Sequence, residues 1–190
     1  LAASGQFDDR IGGPSVYPPQ PDGVYAFTQR NAGWPTSKGA DRYRRGLYTF
    51  FMRSAPYPML TTFDTPRFDT TCTLRVRSNT PLQSLTLAND ETMLESARAL
   101  GRRLMSEAME DRSRIELAYQ LCFARLPTER ETDRLLTFAQ AQRADFLAVP
   151  DDAKSFSQST TESGEQLAEL ATWTVVARGL LNLDEFITRE

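Results

Sequence analysis

Proline and glycine are distributed unevenly along this chain of 190 residues, which limits where regular structure can form. Nine of the eleven prolines and seven of the ten glycines lie within the first 81 residues. Because both residue types interrupt helices and strands, residues 1–79 are predicted to be a loop-rich strap with short extended pieces. Residues 80–190 are predicted to be a helical bundle. We therefore expect a mainly α protein, an irregular bundle of about five helices in a single domain spanning residues 1–190.

The most proline-rich part of the strap is residues 12–21, with the sequence GGPSVYPPQP. Its composition favours an irregular or polyproline-like path, and we expect it to pack over its own domain through Val16 and Tyr17. Two later segments have the pattern of extended chain: residues 47–53 are rich in aromatics, and residues 72–77 alternate apolar and polar side chains. These segments could pair as a short β-ribbon, with a helix as the alternative for the first.

Helix start signals follow one another from residue 79 onward. Thr80 can cap the first helix, Pro81 suits its first position, and Gln83 completes a capping box. A similar box, Thr128 with Glu131, begins a later helix. The other predicted starts are Asp90 and either Asp111 or Ser113, the last with Glu116 as its capping partner.

The last long helix is predicted over residues 165–181, and its second half is apolar on almost every side. Such a helix is usually surrounded by others, so we expect it at the centre of the bundle. Residues 150–164, which precede it, are polar and rich in serine and threonine. That composition predicts a surface loop.

Histidine is absent, which excludes several kinds of site within this chain. A Ser-His-Asp triad, a Cys-His dyad, a His-ligated zinc site and a c-type haem attachment motif all require it. We therefore predict no cofactor in this chain. The two cysteines, Cys72 and Cys122, are far apart in sequence, and two separate thiols with Cys122 packed in a helix are favoured over a disulfide.

The net charge is −3, but basic residues concentrate between positions 38 and 77, which hold eight basic and three acidic side chains. This stretch could face an anionic ligand, although pairing with acidic helices of the same chain is the simpler interpretation. A nucleic-acid reader is usually basic overall and carries a recognisable module, so nucleic acid is not a predicted partner. No apolar run approaches the ~20 residues that cross a bilayer, so no membrane span is predicted.

Paired carboxylates are the remaining route to acid–base catalysis. Asp64 stands out because it follows Thr61, Thr62 and Phe63 in a loop that also holds arginines. No sequence feature shifts its pKa, so a solvated carboxylate is the simpler interpretation. The aromatic residues of the first part could form a platform for stacking sugars, although covering the helical core is their commoner role. They are Tyr17, Tyr25, Phe27, Trp34 and Tyr57.

Four motifs together resemble a planctomycete domain family of unknown function. They are GGPSVYPPQP at residues 12–21, RRGLYTFFMRSAPYPMLTTFD at 44–64, NTPLQSLTLAND at 79–90 and LLNLDEFITRE at 180–190. The resemblance implies a fragment from the C-terminal end of a large exported protein, periplasmic or at the cell surface. It also implies upstream partners in the same polypeptide, a planctomycete cytochrome-c-like domain and a second domain of unknown function. Any haem is then expected in the upstream domain.

The family brings no established activity, so it only nominates positions within the shared motifs. For Asn79, Gln83 and Asp90 a capping role already accounts for the residue type. With the basic stretch added, the candidate ligand-binding residues are Arg44, Arg45, Thr61, Asp64, Arg75, Asn79 and Asn89.

Three functions are consistent with these features. The leading hypothesis is a non-catalytic binding or scaffolding domain of an exported multi-domain protein, with anionic polysaccharide as its ligand. The second is part of an enzyme whose site is completed by an upstream domain, with Arg45 and Asp64 facing that domain. The third is a structural module that docks onto neighbouring domains, which predicts an exposed apolar patch. On its own the chain is not expected to be an enzyme.

Overall fold

The structure is a computed structural model that describes residues 1–25, 33–66, 70–75 and 78–188. Within these residues the protein is mainly helical, as predicted. The chain divides into two compact units. The loop unit comprises Gln6–Thr92, and the helical unit comprises Leu1–Gly5 together with Met93–Glu190. In sequence, the loop unit is therefore an insertion between two parts of the helical unit.

The loop unit contains four short helical elements in its described residues. They are the 3-10 helices Gly39–Tyr43 and Gly46–Tyr48, and the α-helices α1 (Pro58–Thr62) and α2 (Pro81–Asn89). The predicted capping box at α2 is confirmed. The Thr80 side chain accepts a hydrogen bond from the Gln83 backbone N–H, and the Gln83 side chain accepts one from the Thr80 N–H. Each bond satisfies a donor that the first turn of a helix otherwise leaves unpaired.

The proline-rich strap, residues 12–21, packs against the middle of the loop unit. Val16 is only 3 % exposed. Its backbone N–H donates to the Tyr48 carbonyl (2.8 Å), and its carbonyl accepts from the Phe50 N–H (2.7 Å). The pairing stays an isolated bridge because Pro14 and Pro18 on either side have no N–H with which to extend a ladder.

The alternative of a β-ribbon between residues 47–53 and 72–77 is not seen in the described residues. The first segment begins in a 3-10 helix and pairs with the strap, and residues 72–75 are in no strand. Residues 76 and 77 lie outside the described part of the chain. An alternation only six residues long does not determine pairing, because a ribbon also needs a partner strand and a buried face.

The helical unit contains six further α-helices in its described residues. They are α3 (Glu91–Glu107), whose first two residues belong to the loop unit, α4 (Asp111–Phe123), α5 (Glu129–Ala148), α6 (Pro150–Ser157), α7 (Gly164–Leu181) and α8 (Asp184–Ile187). α7 lies at the centre, as predicted: it packs against α4, α5, α6 and α8, and Trp173 is fully buried. Among the residues described, no helix combines the length and apolar character needed to cross a bilayer.

Residues 1–5 complete the helical unit from the other side of the insertion. Ala3 is buried in the same apolar core as Leu100 and Leu104 of α3. Arg103, also on α3, donates a hydrogen bond to the Ala3 carbonyl (3.0 Å). The core of the helical unit is therefore assembled from both sides of the loop unit.

The predicted surface loop over residues 150–164 is wrong in its first half, which forms α6. Pro150 occupies the first turn, where a missing N–H breaks no helical bond, and Asp151 and Asp152 complement the positive end of the helix dipole. Ala153 is buried in a second apolar cluster. The serine and threonine content that favoured a loop describes only the residues that follow α6.

The start of α4 is Asp111, one of the two predicted positions, and the capping box at Ser113 is wrong. Ser113 lies inside the first turn, while Glu110 precedes the helix and makes no side-chain cap bond. The box at α5 is confirmed: Glu131 N–H donates to the Thr128 hydroxyl (3.3 Å), and the Thr128 N–H donates to the Glu131 carboxylate (2.7 Å).

Candidate functional site

Arg44 is the centre of a first hydrogen-bond network in the loop unit. The residue is only 6 % exposed, and Nη2 donates to the carbonyls of Arg10 (2.8 Å) and Gly12 (2.6 Å). Nη1 lies 3.5 Å from the Pro14 carbonyl, and the guanidinium carbon lies 3.8 Å from the centre of the Tyr48 ring. None of the ion pairs formed by the described residues includes Arg44. Backbone dipoles and an aromatic face therefore stabilise this buried cation.

Two glycines allow the chain to wrap around Arg44. Gly12 and Gly13 have φ angles of 83° and 90°, which residues with a side chain rarely adopt. A Cβ on Gly13 would lie 3.5 Å from Nη1 of Arg44. The Gly12 N–H donates to the Tyr48 hydroxyl (2.7 Å). The first shared motif thus supplies carbonyls to an arginine of the second motif.

Asp8 brings negative charge close to this network. Its Oδ2 accepts hydrogen bonds from Nε (2.8 Å) and Nη2 (2.6 Å) of Arg10. The hydrogen bonds from Arg10, with the positive charges of Arg10 and Arg44, lower the pKa of Asp8. Arg10 also pairs with Asp41 (2.6 Å). The charges around Arg44 are therefore compensated within the loop unit.

Asp64 is the centre of a second network. Its Oδ2 accepts hydrogen bonds from the Ser78 hydroxyl (2.7 Å), the Ser78 N–H (2.7 Å) and the Gln83 side-chain amide (3.4 Å). These bonds, led by that from the Ser78 hydroxyl, lower the pKa of Asp64 and keep it ionised near neutral pH. A catalytic general acid needs a raised pKa instead.

Arg75 holds the backbone of the same loop. Its Nε donates to the Asp64 carbonyl (3.0 Å) and its Nη2 to the Phe63 carbonyl (2.5 Å). The Gln83 side-chain amide also donates to the Thr62 carbonyl (2.9 Å). Together these bonds hold Asp64 at a φ of 56°, in the left-handed region. The structure thus brings two candidates, Asp64 and Arg75, into one network with Gln83.

Three other candidates lie on the surface of the loop unit. The Thr61 hydroxyl donates to the Pro58 carbonyl (2.9 Å) of its own helix, α1. The Asn89 amide donates to the Leu85 carbonyl (2.8 Å) of α2. Asn79 is also exposed. The two bonds are local, and neither brings Thr61 or Asn89 into the Arg44 or Asp64 network.

The basic stretch from residue 38 to residue 77 has no single role. Arg42 pairs with Glu91 in the first turn of α3 (2.7 Å), which is the pairing with an acidic helix that the sequence suggested. Arg45 is exposed, and its guanidinium carbon lies 5.5 Å from the centre of the Phe7 ring. Two more exposed basic residues are Lys38 and Arg53. Residues 67 and 77 lie outside the described part of the chain.

The aromatic residues considered as a sugar platform pack on one another instead. Around the Trp34 ring, the neighbouring ring centroids lie at 5.0 Å (Tyr17), 5.3 Å (Tyr25) and 6.1 Å (Tyr57). Phe27 lies outside the described residues. Because Tyr25 and Tyr57 are buried, these rings form an apolar centre for the loop unit and not an open platform.

The polar ends of two of these rings hold the strap in place. Trp34 Nε1 donates to the Pro18 carbonyl (2.6 Å), and the Tyr57 hydroxyl donates to the Pro19 carbonyl (2.8 Å). Proline carbonyls remain free acceptors when a segment forms no ladder, so donors on aromatic residues can pair with them.

A charged network inside the helical unit was not predicted. Glu169 on α7 accepts hydrogen bonds from Arg143 on α5 (Nε–Oε2 2.5 Å) and from Trp173 Nε1 (2.9 Å). It also pairs with Arg114 on α4. Arg143 continues to Asp111 (2.9 Å), so two arginines and two carboxylates balance across three helices. Their side chains are between 12 and 27 % exposed.

The net effect on Glu169 is a lowered pKa. Burial raises the pKa of this carboxyl, but the hydrogen bonds from Arg143 and Trp173, with the charges of Arg143 and Arg114, outweigh it. The partners on different helices are 26 and 55 residues away from Glu169, so no local pattern could reveal them.

A second unpredicted network ties α8 to the helix that precedes α5. Arg125 makes two parallel bonds to Glu185 (2.6 and 2.8 Å) and two more to Glu131 (2.8 and 3.0 Å). Glu131 also caps α5 with Thr128. The hydrogen bonds from Arg125 and Thr128 lower the pKa of Glu131 to about 2. One carboxylate thus serves both the local cap and the long-range contact.

The cysteines and carboxylates form no reactive centre in the part of the chain that the structure describes. Both cysteines are free thiols. Cys122 is buried on α4, and burial raises the pKa of its thiol to about 11, which keeps it protonated and unreactive. Cys72 is exposed. Across residues 1–25, 33–66, 70–75 and 78–188, no group of three or more cysteine, aspartate or glutamate side chains could hold a metal ion.

These features define a class of protein: a mainly helical domain with an inserted loop-rich unit whose motif residues bind one another. The chain belongs to the PSD1 family, described as a protein of unknown function (DUF1553), whose family model matches residues 1–139. The match covers the loop unit and the helical unit as far as the middle of α5. Comparison with curated proteins and with solved structures found no match.

Proposed function

We propose that this domain is a non-catalytic binding or scaffolding domain of a larger exported protein. The observation that carries the proposal is the environment of Asp64. One of its carboxylate oxygens accepts three hydrogen bonds from Ser78 and Gln83, and its pKa is lowered. A carboxylate held ionised in this way stabilises a loop and does not exchange protons near neutral pH. The most prominent catalytic candidate of the chain therefore serves the fold.

The proposed ligand is an anionic polysaccharide bound by the loop unit. This unit carries 10 basic and 8 acidic side chains, whereas the helical unit carries 12 basic and 17 acidic ones. Three of its basic side chains, Lys38, Arg45 and Arg53, are exposed and take part in none of the ion pairs among the described residues. Sulfate and carboxylate groups are the usual partners of such guanidinium and ammonium groups.

The wider setting is proposed from the resemblance of the motifs. It gives a planctomycete protein, exported to the periplasm or cell surface, with a cytochrome-c-like domain upstream of this one. The upstream domains would be the partners of this domain. Any haem would bind there, because this chain has no histidine and no Cys-x-x-Cys pair.

A thermal-shift panel of sulfated, carboxylated and neutral glycans tests the ligand. Binding to the folded state alone raises stability by mass action, by about 2.7 kcal/mol when the free ligand is 100-fold above its Kd. We expect the melting temperature to rise with sulfated and carboxylated glycans and to stay unchanged with neutral ones. If no glycan shifts the melting temperature, the polysaccharide proposal is contradicted.

A matched pair of triple variants locates the binding surface. The first, Lys38→Ala with Arg45→Ala and Arg53→Ala, removes the exposed charges of the loop unit and should abolish the shift. The second is a control that removes three exposed arginines of the helical unit. It combines Arg102→Ala, Arg130→Ala and Arg134→Ala, and it should keep the shift. Equal shifts in both variants would place the ligand elsewhere.

A further inference from the structure

Two large aliphatic side chains project from neighbouring loops of the loop unit. Ile11 is 86 % exposed and Leu47 is 85 % exposed. Phe7, which is 38 % exposed, lies beneath the guanidinium of Arg45. We call these four residues the basic–apolar face. Isolated exposed apolar residues are ordinary, but apolar residues grouped beside a cation are typical of an interaction surface.

Both projecting side chains are held by the Arg44 network. Ile11 lies between the two residues whose carbonyls accept hydrogen bonds from Nη2 of Arg44. Leu47 precedes Tyr48, whose ring stacks on Arg44 and whose hydroxyl accepts from the Gly12 N–H. Loops fixed in this way lose little conformational entropy when a partner binds.

A surface of opposite charge lies on the helical unit, where α5 ends and α6 begins. Leu147 is 49 % exposed and Val149 is 47 % exposed. Three exposed aspartates surround them in sequence: Asp145, Asp151 and Asp152. We call these five residues the acidic–apolar edge. It offers apolar groups for Ile11 and Leu47 and carboxylates for Arg45.

We propose that the basic–apolar face binds the acidic–apolar edge of a second copy of this chain. The two surfaces match in both respects that decide such contacts, because each joins two exposed aliphatic side chains to charges of opposite sign. The whole units match too: the loop unit is net +2, with 10 basic and 8 acidic side chains, and the helical unit is net −5, with 12 and 17. Complementary charge favours the encounter, and apolar burial stabilises the complex.

The contact joins unlike surfaces, so each copy offers one of each. Two copies can satisfy both contacts in a closed dimer, or successive copies can add in an open chain. This inference rests on the proposed scaffolding role and gives it a partner. It does not depend on the polysaccharide, which is left out of the experiment.

Sedimentation velocity of the full chain over a concentration series, without glycan, tests the proposal. We expect concentration-dependent association of the wild type. Ile11→Ser combined with Leu47→Ser should abolish it, as should Asp151→Lys combined with Asp152→Lys. Met109→Ser is the control, because Met109 is 87 % exposed but belongs to neither surface. Circular dichroism and melting curves check that each variant is folded.

A charge exchange between two chains makes the test specific. Arg45→Glu alone, and Asp151→Arg with Asp152→Arg alone, should each remain monomeric because like charges then face each other. An equimolar mixture of the two variants should associate, since every contact in a closed mixed dimer again joins opposite charges.

Three results would overturn the proposal: a wild type that stays monomeric at every concentration, association that Met109→Ser weakens as much as Ile11→Ser with Leu47→Ser, or a charge-exchange mixture that stays monomeric. A monomeric wild type that still melts at a higher temperature with sulfated glycans would remove only the self-association. A dimer that no glycan stabilises would remove only the polysaccharide ligand.

Discussion

The backbones of Gly101 on α3 and Trp173 on α7 approach so closely that a Cβ on Gly101 would lie 3.0 Å from the Trp173 carbonyl carbon. The clash would be with backbone, so no side-chain rotation relieves it. We therefore predict that Gly101→Ala destabilises the helical unit by about 1–3 kcal/mol, the usual cost of overpacking a core. Denaturant unfolding followed by circular dichroism measures this.

Gly179 on α7 is the matched control for Gly101. It is exposed, and a Cβ placed there meets no atom within 4 Å. Alanine is a better helix former than glycine by about 0.8–1.0 kcal/mol, so Gly179→Ala should be neutral or stabilising. Equal effects at both glycines would mean that helix propensity, and not the approach of α3 to α7, decides the outcome.

Glu169→Gln should be the most destabilising conservative substitution in the charged network. It leaves the guanidinium groups of Arg114 and Arg143 short of one negative charge in a partly buried place. Removing one partner of a fully buried pair costs about 3–5 kcal/mol, and the 20 % exposure of Glu169 leads us to expect about 2 kcal/mol. Glu129→Gln, at a pair whose carboxylate side chain is 79 % exposed, should change stability little. If both substitutions have the same effect, the network contributes nothing to stability.

The capping residue Glu131 should make stability depend on pH in the acid range. Its pKa is lowered from 4.5 to about 2 in the folded state. A carboxyl with a lowered pKa stabilises the fold fully above its unfolded value, and this stabilisation is lost as the pH falls through the folded value. The free energy of unfolding should therefore fall between pH 4.5 and about 2. Glu131→Gln should be less stable at pH 7 and show a shallower fall, whereas an unchanged slope would contradict the assignment.

Arg44 and Arg45 are neighbours in sequence with opposite surroundings, which makes them an internal control. Arg44→Met removes the donors for the carbonyls of Arg10 and Gly12, so it should lower the free energy of unfolding by about 2–4 kcal/mol. Arg45→Met changes an exposed side chain and should stay within about 0.5 kcal/mol of the wild type. Urea unfolding monitored by tryptophan fluorescence, to which Trp34 contributes, compares them. The reverse order would contradict the structure of this network.

Sequence predicted the features that depend on neighbours within one helical turn. The capping boxes at Thr80 and Thr128 each need only a partner three residues away, and both form. The last long helix needed only its own apolar surface to be placed at the centre. The start of α6 at Pro150 was equally local, but serine and threonine composition was given more weight than proline at a first helical position.

The networks could not be predicted because their partners are distant in sequence. Arg44 binds the carbonyl of Gly12, 32 residues before it, and Arg75 binds the carbonyl of Asp64, 11 residues before it. Backbone carbonyls carry no residue type that a pattern could reveal. The motifs nominated the right segments, but only the fold shows that Arg44 is buried while Arg45 is exposed.

The most direct test of the central claim compares the free energies of unfolding of Asp64→Asn and Asp9→Asn. Asp64 accepts three hydrogen bonds from Ser78 and Gln83, whereas Asp9 is an exposed aspartate of the same unit. We predict that Asp64→Asn lowers the free energy of unfolding clearly and that Asp9→Asn leaves it unchanged. An Asp64→Asn protein as stable as the wild type would mean that this carboxylate does not serve the fold, and it would return Asp64 to the position of a functional group.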